Sequence, residues 1–196
     1  MQTTTLSYSN IHKHGELFAN LFRARKQHFI DRRKWQLPET DGMEFDQYDT
    51  PMSRWIAIHD SERVLAGFRL TPTTAVCGSY SYMIRDAQNG ILGGSIPENL
   101  LDSEAPVDQN TWELTRVFID HAIPQGGRRR VQMRLVESII ETARELGALH
   151  LIALTDATWP RFFSRCGLEA EAAGPRVSID DGEFQCVMIH LKGKMH

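Results

Sequence analysis

Three carboxylates stand within six residues of the sequence, in the run EFDQYD, where they alternate with aromatic and amide side chains: Glu44, Asp46 and Asp49. Carboxylates at this density can bind a cation, which could be a metal ion, a buried arginine or the cationic group of a substrate. The run lacks the Gly and the Glu that a calcium-binding EF-hand loop needs at fixed positions. A solvated acidic loop is equally compatible with this composition.

Two arginines stand in otherwise apolar parts of the sequence, where a charged side chain is unexpected. Arg25 falls on the apolar face of a predicted helix, four residues after Leu21 and four before Phe29. A cation on a core-facing stripe needs a partner or a ligand to offset its desolvation. Arg69 ends the apolar run VLAGFRL, where it is either a surface residue or a buried partner of one of the acidic side chains.

The run WELTR places Glu113 three residues before Arg116. In a regular strand this odd separation directs the two side chains to opposite faces, as in an ion pair across the sheet. A β-bulge between them would bring them to one face. There a carboxylate and a guanidinium would form a general base with an orienting partner.

A basic sequence, QGGRRR, precedes the strongest helical pattern: Gln125, Gly126, Gly127, Arg128, Arg129 and Arg130. Arginines in a first turn oppose the helix dipole, which costs stability locally. Glycines there leave backbone N–H groups open, and together with the arginines they favour an anion such as a phosphate. The strict dinucleotide and Walker fingerprints are absent.

The elements that must position these residues follow from periodicity. We predict a first helix over about residues 14–30, a β-hairpin from RWIAIHD and VLAGFRL, and an irregular substrate-covering segment over 71–110. TWELTRVFID predicts a strand at 111–120, followed by a helix over about 128–146 that ends at Gly147.

The rest of the sequence predicts a strand at HLIALTD, a short helix around 159–166, turns at Gly167 and Gly174–Pro175, and a last strand at FQCVMIHL. Strand, helix and strand over 112–155 imply a right-handed parallel crossover, whereas the other strands read as antiparallel. The predicted fold class is α/β of the α+β type, a mixed sheet with helices on its faces.

Composition limits the possible functions. The chain has 196 residues, 41% hydrophobic and 24% charged, with a net charge of −3, so we expect one globular domain over 1–196 without general nucleic-acid affinity. Neither a secretory signal nor an apolar run of membrane-spanning length occurs, so we expect a cytoplasmic protein without stable membrane association. Three widely spaced cysteines argue against disulfides and zinc, and we expect no metal site.

Taken in order, these motifs resemble the acyl-homoserine-lactone synthase (autoinducer synthase) family over about residues 15–170. The runs EFDQYD, FRLTPTT and WELTRVFI carry most of the resemblance. The family's hallmark residues correspond to eight positions of this sequence: Arg25, Phe29, Trp35, Asp46, Asp49, Arg69, Glu113 and Arg116.

The resemblance implies a fold like that of the GCN5-related N-acetyltransferases, with a mixed, splayed β-sheet flanked by helices. It also implies a reaction between S-adenosylmethionine and an acyl thioester of acyl-carrier protein or acyl-CoA. The methionyl amine attacks the thioester, and the carboxylate then displaces methylthioadenosine to close the lactone. S-adenosylmethionine is a substrate here, and the reaction needs neither a cofactor nor a metal.

The resemblance further implies roles for individual residues. Glu113 is the general base, acting through a water, and Arg116, Arg69, Asp46 and Asp49 are catalytic with it. Arg25, Phe29, Trp35 and Asp46 bind S-adenosylmethionine, through charge pairing and cation–π contact. The acyl donor contacts a further set: Arg128, Arg129, Arg130, Arg134 and Thr155.

One departure from the family pattern and two other classes of function bear on these expectations. Gln88 occupies the place of a family Phe that follows Met83–Ile84, so the acyl or pantetheine channel is expected to be unusual there. An N-acyltransferase that acylates another amine without lactonisation would turn over acyl-CoA without S-adenosylmethionine. A non-catalytic ligand-binding module would tolerate Glu113→Ala.

Overall fold

The structure, a computed structural model, describes residues 1–61, 63–156, 159, 163, 168–180 and 182–191. The strands in this part of the chain are β1 (Gln2–Leu6), β2 (Glu39–Thr40), β3 (Met43–Glu44), β4 (Arg54–Asp60), β5 (Arg63–Pro72), β6 (Thr111–Ile119), β7 (His150–Asp156), β8 (Glu169–Ile179) and β9 (Gly182–His190). The helices are α1 (Gly15–Arg25), a π-helix (Lys26–Arg32), α2 (Met83–Gln88) and α3 (Gln125–Glu145), besides a 3₁₀ turn at Ile11–Lys13.

Seven strands form one mixed sheet in the order β1-β4-β5-β6-β7-β9-β8, and β2 pairs with β3. Strands β6 and β7 run parallel with α3 between them in sequence, which confirms the predicted crossover connection. Their ladder joins only Thr111–Glu113 to His150–Ile152. The pairs β1/β4, β4/β5, β7/β9 and β8/β9 are antiparallel.

Contacts along the chain divide it into two compact units, and the expected single domain remains a prediction. The first unit comprises Met1–Leu70 and Arg116–Thr142. Its core lies between α1 and the sheet, where Leu21 and Phe22 pack with Trp55 and Phe118. The helix approaches the sheet closely at Gly67, since a Cβ there would lie 2.7 Å from Leu21 Cδ1.

The second unit comprises Thr71–Thr115 and Ala143–His196. It contains α2, the start of β6, and strands β7, β8 and β9. Ile152, Val187 and Ile189 are buried, consistent with the apolar character that predicted two of these strands. At the end of α3, Gly147 has φ +83° and Ala148 N–H donates to the carbonyl of Ala143, which confirms the predicted C-cap.

Several predicted boundaries were wrong. The predicted first helix is α-helical only to Arg25 and continues as the π-helix. Helix α3 begins at Gln125, three residues earlier than expected, so the glycines belong to its first turn. Gly174–Pro175 is not a turn but part of β8, at a register shift between Ala172 and Arg176. Pro is tolerated there because β8 is an edge strand.

Four strands, β1, β2, β3 and β8, were not predicted, and the segment 71–110, predicted to be irregular, contains helix α2. Strand β1 consists mainly of threonines, which give no alternation of apolar and polar residues, and β8 carries the Gly-Pro signal of a turn. The short helix predicted around 159–166 and the turn at Gly167 lie outside the described residues, except for Trp159 and Phe163. Within the described part of the chain, no helix has both the length and the apolar character needed to cross a bilayer.

Candidate active site

The first unit buries a group of six ionisable side chains, here named the charged cluster: Arg25, Glu44, Asp46, Asp49, Arg69 and Arg116. The three acidic side chains are at most 6% exposed. The run EFDQYD, here named the acidic segment, is therefore not a solvated loop. The sequence left open whether these carboxylates bind a metal ion, a buried arginine or the cationic group of a substrate. In the structure they pair with buried arginines.

Arg25 enters the charged cluster from the last turn of α1. The four-residue spacing that places Leu17 and Leu21 against the core brings Arg25 to the same buried face. Its Nε lies 2.6 Å from Oε2 of Glu44, and its two terminal nitrogens donate to the carboxylate of Asp49 at 2.8 and 2.9 Å. This two-point arrangement matches the planar guanidinium to the carboxylate.

Arg69 enters from β5 and is fully buried. It donates to both oxygens of Asp46, at 2.5 and 3.1 Å, and to Oδ1 of Asp49 at 2.9 Å. The indole N–H of Trp55 also donates to that oxygen of Asp49, at 2.7 Å. Of the two alternatives that the sequence left open for Arg69, the structure shows the buried partner of the acidic side chains.

Arg116 enters from β6 with a φ of +53°, a left-handed conformation inside a strand that L-residues rarely adopt. The sequence left open whether the strand is regular or bulged between Glu113 and Arg116, and this φ value is a backbone irregularity at the second of these residues. The Arg116 guanidinium contacts Glu44 at 3.1 Å and Asp46 at 2.7 Å. An unusual backbone at this position is consistent with strain held by a functional site.

The arginines keep the aspartates ionised despite their burial. Burial alone would raise the pKa of Asp46, but Arg69 and Arg116 outweigh it and hold that pKa below its usual range. The pKa of Asp49 is lowered in the same way, against burial, by Arg69 and Arg25. Burial would lower the pKa of Arg25, yet its carboxylate partners raise it.

The charged cluster lies beside an aromatic pair. Phe29, on the π-helix, is 3% exposed and stacks on half-buried Trp35, with 5.2 Å between ring centroids and 21° between planes. The guanidinium of Arg116 lies 5.5 Å from the centroid of Phe29. Two residues predicted to bind a cationic substrate therefore occur together, next to the cluster.

Glu113 lies in the second unit and is completely buried. Its carboxylate oxygens accept the backbone N–H groups of Met83 at 3.3 Å and Ile84 at 2.9 Å. These groups belong to the first turn of α2, where N–H groups have no partner within the helix. Hydrogen bonds of this kind favour the ionised carboxylate, which is the form that a general base needs.

Two other buried groups near Glu113 stay neutral. Burial, with a contribution from Glu113, raises the pKa of the Cys186 thiol to about 12. The same two causes raise the pKa of Tyr82, whose hydroxyl donates to the carbonyl of Pro106 at 2.7 Å. Cys186 is therefore a core residue, whereas Cys77 is exposed and Cys166 lies outside the described residues.

The residues predicted to bind the acyl donor lie on two elements, the N-terminal part of α3 in the first unit and β7 in the second. Arg129 and Arg130 are exposed on the first turns of α3, and Arg128 is half-buried there. Arg134 donates to the Thr3 hydroxyl at 3.0 Å and lies 3.3 Å from Glu141. In the second unit, the Thr155 hydroxyl donates to the carbonyl of Gln185 at 3.4 Å.

The open N–H groups predicted at the helix start are partly used. Gly127 and Arg128 both donate to the carbonyl of Pro124, at 2.9 and 3.1 Å. The prediction treated the glycines as a loop before the helix. Because the helix starts at Gln125, its own first turn takes up these two N–H groups.

Glu44 was noted as part of the acidic run, but the sequence did not predict a role for it. Glu44 is fully buried and joins Arg25 to Arg116. It lies in the two-residue strand β3, and so short a strand leaves no periodic signal. Within the described part of the chain, no group of His, Cys, Asp and Glu could hold a metal ion.

His28 lies at a separate cavity of about 420 Å³ in the first unit, bordered by α1, the start of β5 and the end of β6. It is 8% exposed and packs against Phe29 and Phe118. In the part of the chain that the structure describes, its Nδ1 has no hydrogen-bond partner. Burial, followed by nearby Arg33, lowers the pKa of His28 to about 4.

We expect His28 to make the protein sensitive to acid. The unfolded chain binds this proton at about pH 6.5 and the folded chain only at about pH 4, so stability falls as pH falls between these values. The full loss is about 3 kcal/mol. The measurement is the free energy of unfolding in urea near pH 7 and near pH 4.5. The decrease between these pH values should be smaller for His28→Leu than for the unsubstituted chain. His12→Gln, at an exposed position, should show the same decrease as the unsubstituted chain. Parallel losses in all three proteins would exclude this role.

Comparison with known proteins first defines the class of fold. A putative N-acetyltransferase from Lactobacillus plantarum superposes with a TM-score of 0.58, covering 98% of this chain and all of its own, at 14% identity. At this identity the likeness concerns the fold alone. The mixed sheet is that of the N-acetyltransferases, as the resemblance implied.

More similar proteins define the family. TofI, solved in a ternary complex with an inhibitor and MTA, is 28% identical and superposes with a TM-score of 0.77, covering 98% of this chain and 92% of its own. The acyl-homoserine-lactone synthase of Aeromonas salmonicida is 30% identical over 183 residues, which are 92% of this chain and 82% of that protein. The family model of the autoinducer synthases matches residues 9–192. The chain belongs to this family and is an acyl-homoserine-lactone synthase, an acyltransferase.

Proposed function

We propose that the chain transfers an acyl group from a thioester to the amine of S-adenosylmethionine and then closes a homoserine lactone. In the first step a C–N bond forms, the thioester C–S bond breaks, and the thiol of coenzyme A or of a carrier protein leaves. The ammonium must lose a proton before its nitrogen can attack. Glu113 receives this proton, directly or through one water.

The observation that carries the proposal is the environment of Glu113. A carboxylate buried without donors would take up a proton and lose its value as a base. The two N–H groups of α2 support the ionised form of this fully buried side chain. Cys186 and Tyr82 do not compete for the role, because burial keeps their pKa values high.

In the second step the substrate carboxylate attacks its own γ-carbon. A C–O bond forms, the C–S bond of the sulfonium breaks, and neutral methylthioadenosine leaves with the electron pair. This step is intramolecular, so it gains mainly from holding the substrate in a folded conformation. TofI, with MTA bound, supports methylthioadenosine as the product to measure.

We assign S-adenosylmethionine to the aromatic pair and the charged cluster. Trp35 is half-buried, stacks on Phe29 and lies 5.5 Å from the Arg33 guanidinium, so a cation is already held against its ring. An adenine or a sulfonium would bind at this aromatic pair by stacking or cation–π contact. Asp46 and Asp49 are held by arginines, so their proposed catalytic contribution is to fix Arg69 and Arg116. These guanidinium groups, with Arg25, then provide a fixed electrostatic environment for the substrate.

We assign the acyl donor to the start of α3. Arg128, Arg129 and Arg130 can meet the phosphates of coenzyme A or an acidic carrier protein. Arg134, already held by Thr3 and Glu141, would act as a more distant charge. Thr155 on β7 is the proposed hydroxyl near the acyl chain. The chain would act in the cytoplasm, where both substrates are made, as a single domain.

The test incubates the purified chain with S-adenosylmethionine and a panel of acyl-CoA and acyl-carrier donors. Mass spectrometry should find an acyl-homoserine lactone and methylthioadenosine in equal amounts, and the best donor identifies the acyl group. An acylated product without methylthioadenosine would instead show an N-acyltransferase that does not lactonise. Binding of S-adenosylmethionine with no product from any donor would favour a non-catalytic module.

A further inference from the structure

Gln88 forms two hydrogen bonds that tie the end of α2 to a distant part of the second unit. Its Nε2 donates to the carbonyl of Ser103 at 2.8 Å, and its Oε1 accepts the N–H of Ala105 at 2.8 Å. Both ends of the amide are thus used on one short backbone segment. An apolar side chain at this position could form neither bond.

A third bond ties the other end of α2 to the same segment. The hydroxyl of Tyr82, the residue just before α2, donates to the carbonyl of Pro106 at 2.7 Å. Tyr82 is fully buried, and Ala105 is 4% exposed. The segment Ser103–Pro106 therefore holds α2 at both ends.

Helix α2 depends on such contacts for its position. It has six residues, too few for a helix to be stable without tertiary contacts. Its first turn supplies the two N–H groups that bind the carboxylate of Glu113. Whatever fixes α2 also fixes the direction from which these donors reach Glu113.

We propose that Gln88 is a positioning residue for catalysis, which acts through α2 on Glu113. The inference rests on the proposed role of Glu113 as general base. Loss of the Gln88 bonds frees the end of α2, weakens the alignment of the Met83 and Ile84 N–H groups, and leaves the carboxylate less well oriented and less stabilised in its ionised form. The sequence pattern drew attention to Gln88 only as a change in the acyl channel.

The test compares Gln88→Met, which keeps the length of the side chain without its polar atoms, with the unsubstituted chain. We expect kcat to fall about tenfold, while KM for S-adenosylmethionine stays within about twofold. The acid limb of the pH–rate profile should move up by about half a pH unit, because the ionised carboxylate is less stabilised. Asn89→Ala, at the adjacent exposed position, is the matched control and should change neither kcat nor the acid limb of the pH–rate profile.

A second variant keeps the test decisive if Gln88→Met does not fold. Gln88→Glu retains an acceptor for the Ala105 N–H but places a carboxylate oxygen against the Ser103 carbonyl, and it should shift the acid limb in the same direction. A lower melting temperature with unchanged kcat and an unchanged acid limb would show a structural role only and overturn the proposal.

The variant Glu113→Gln separates this inference from the proposed function. In that background, Gln88→Met should change kcat by less than about twofold, because the group on which it acts is gone. If Glu113→Gln itself retains full activity, the proposed base is wrong. If Glu113→Gln loses activity while Gln88→Met keeps the kcat and acid limb of the unsubstituted chain, only the role of Gln88 is wrong.

Discussion

Replacing Glu113 by glutamine is expected to lower kcat by about a thousandfold, within the range that general bases contribute. Glutamine preserves the volume, but its single amide oxygen can accept only one of the N–H groups of Met83 and Ile84, which the carboxylate accepts on separate oxygens. It also cannot take a proton at neutral pH. The rate of methylthioadenosine release, measured with saturating substrates, checks this. KM for S-adenosylmethionine should change little.

Two controls make the result interpretable. Thermal unfolding should show that Glu113→Gln still folds, because the lower cost of burying a neutral side chain offsets the hydrogen bond lost at one N–H group. Glu113→Asp keeps the carboxylate but shortens its reach, so it should retain more activity than the glutamine variant. Glu113→Gln activity within tenfold of the unsubstituted chain would remove Glu113 from the mechanism.

Glu44→Gln is expected to destabilise the first unit by about 3–5 kcal/mol, the usual cost of removing one partner from a buried ion pair. The substitution leaves Arg25 and Arg116 without a shared carboxylate, in a site where Glu44 is fully buried. Urea unfolding measures the change. Glu16→Gln, which alters a surface pair with Arg23, should cost less than about 1 kcal/mol.

A second substitution tests whether charge imbalance is the cause. Glu44→Gln alone leaves three arginines with two carboxylates. Adding Arg25→Met leaves two arginines with two carboxylates and so restores the balance of charge. The double variant should lose less stability than the sum of the single variants, by about 0.5–3 kcal/mol. Strict additivity would mean that the side chains contribute by shape alone.

The sequence predicts best where a physical conflict is local. Arg25 on an apolar stripe required a partner, and the nearby acidic run was the available one, so their pairing was foreseeable. The left-handed φ at Arg116 fits the bulge that an odd spacing within a strand would need. In contrast, Glu44 lies in a two-residue strand, and its partner Arg116 is 72 residues away, so neither feature could be read from local sequence.

Other features could not be predicted because tertiary contacts outweigh local preference. A run of threonines forms β1 because β4 offers it an edge. A Gly-Pro pair, which indicates a turn, is accommodated within β8 by a register shift. The hydrogen bonds of Gln88 give no signal in the sequence, because its partners are backbone groups of Ser103 and Ala105.

The charged cluster also constrains how the first unit can fold. Its members come from α1, the acidic segment, β5 and β6, and each carboxylate contacts two arginines. A chain that has docked three of these segments without the fourth buries an unbalanced charge, which is costly away from water. Partly assembled forms are therefore disfavoured, and the four segments are expected to order together. The same pairing that we propose to prepare a substrate site thus makes the folding of this unit cooperative.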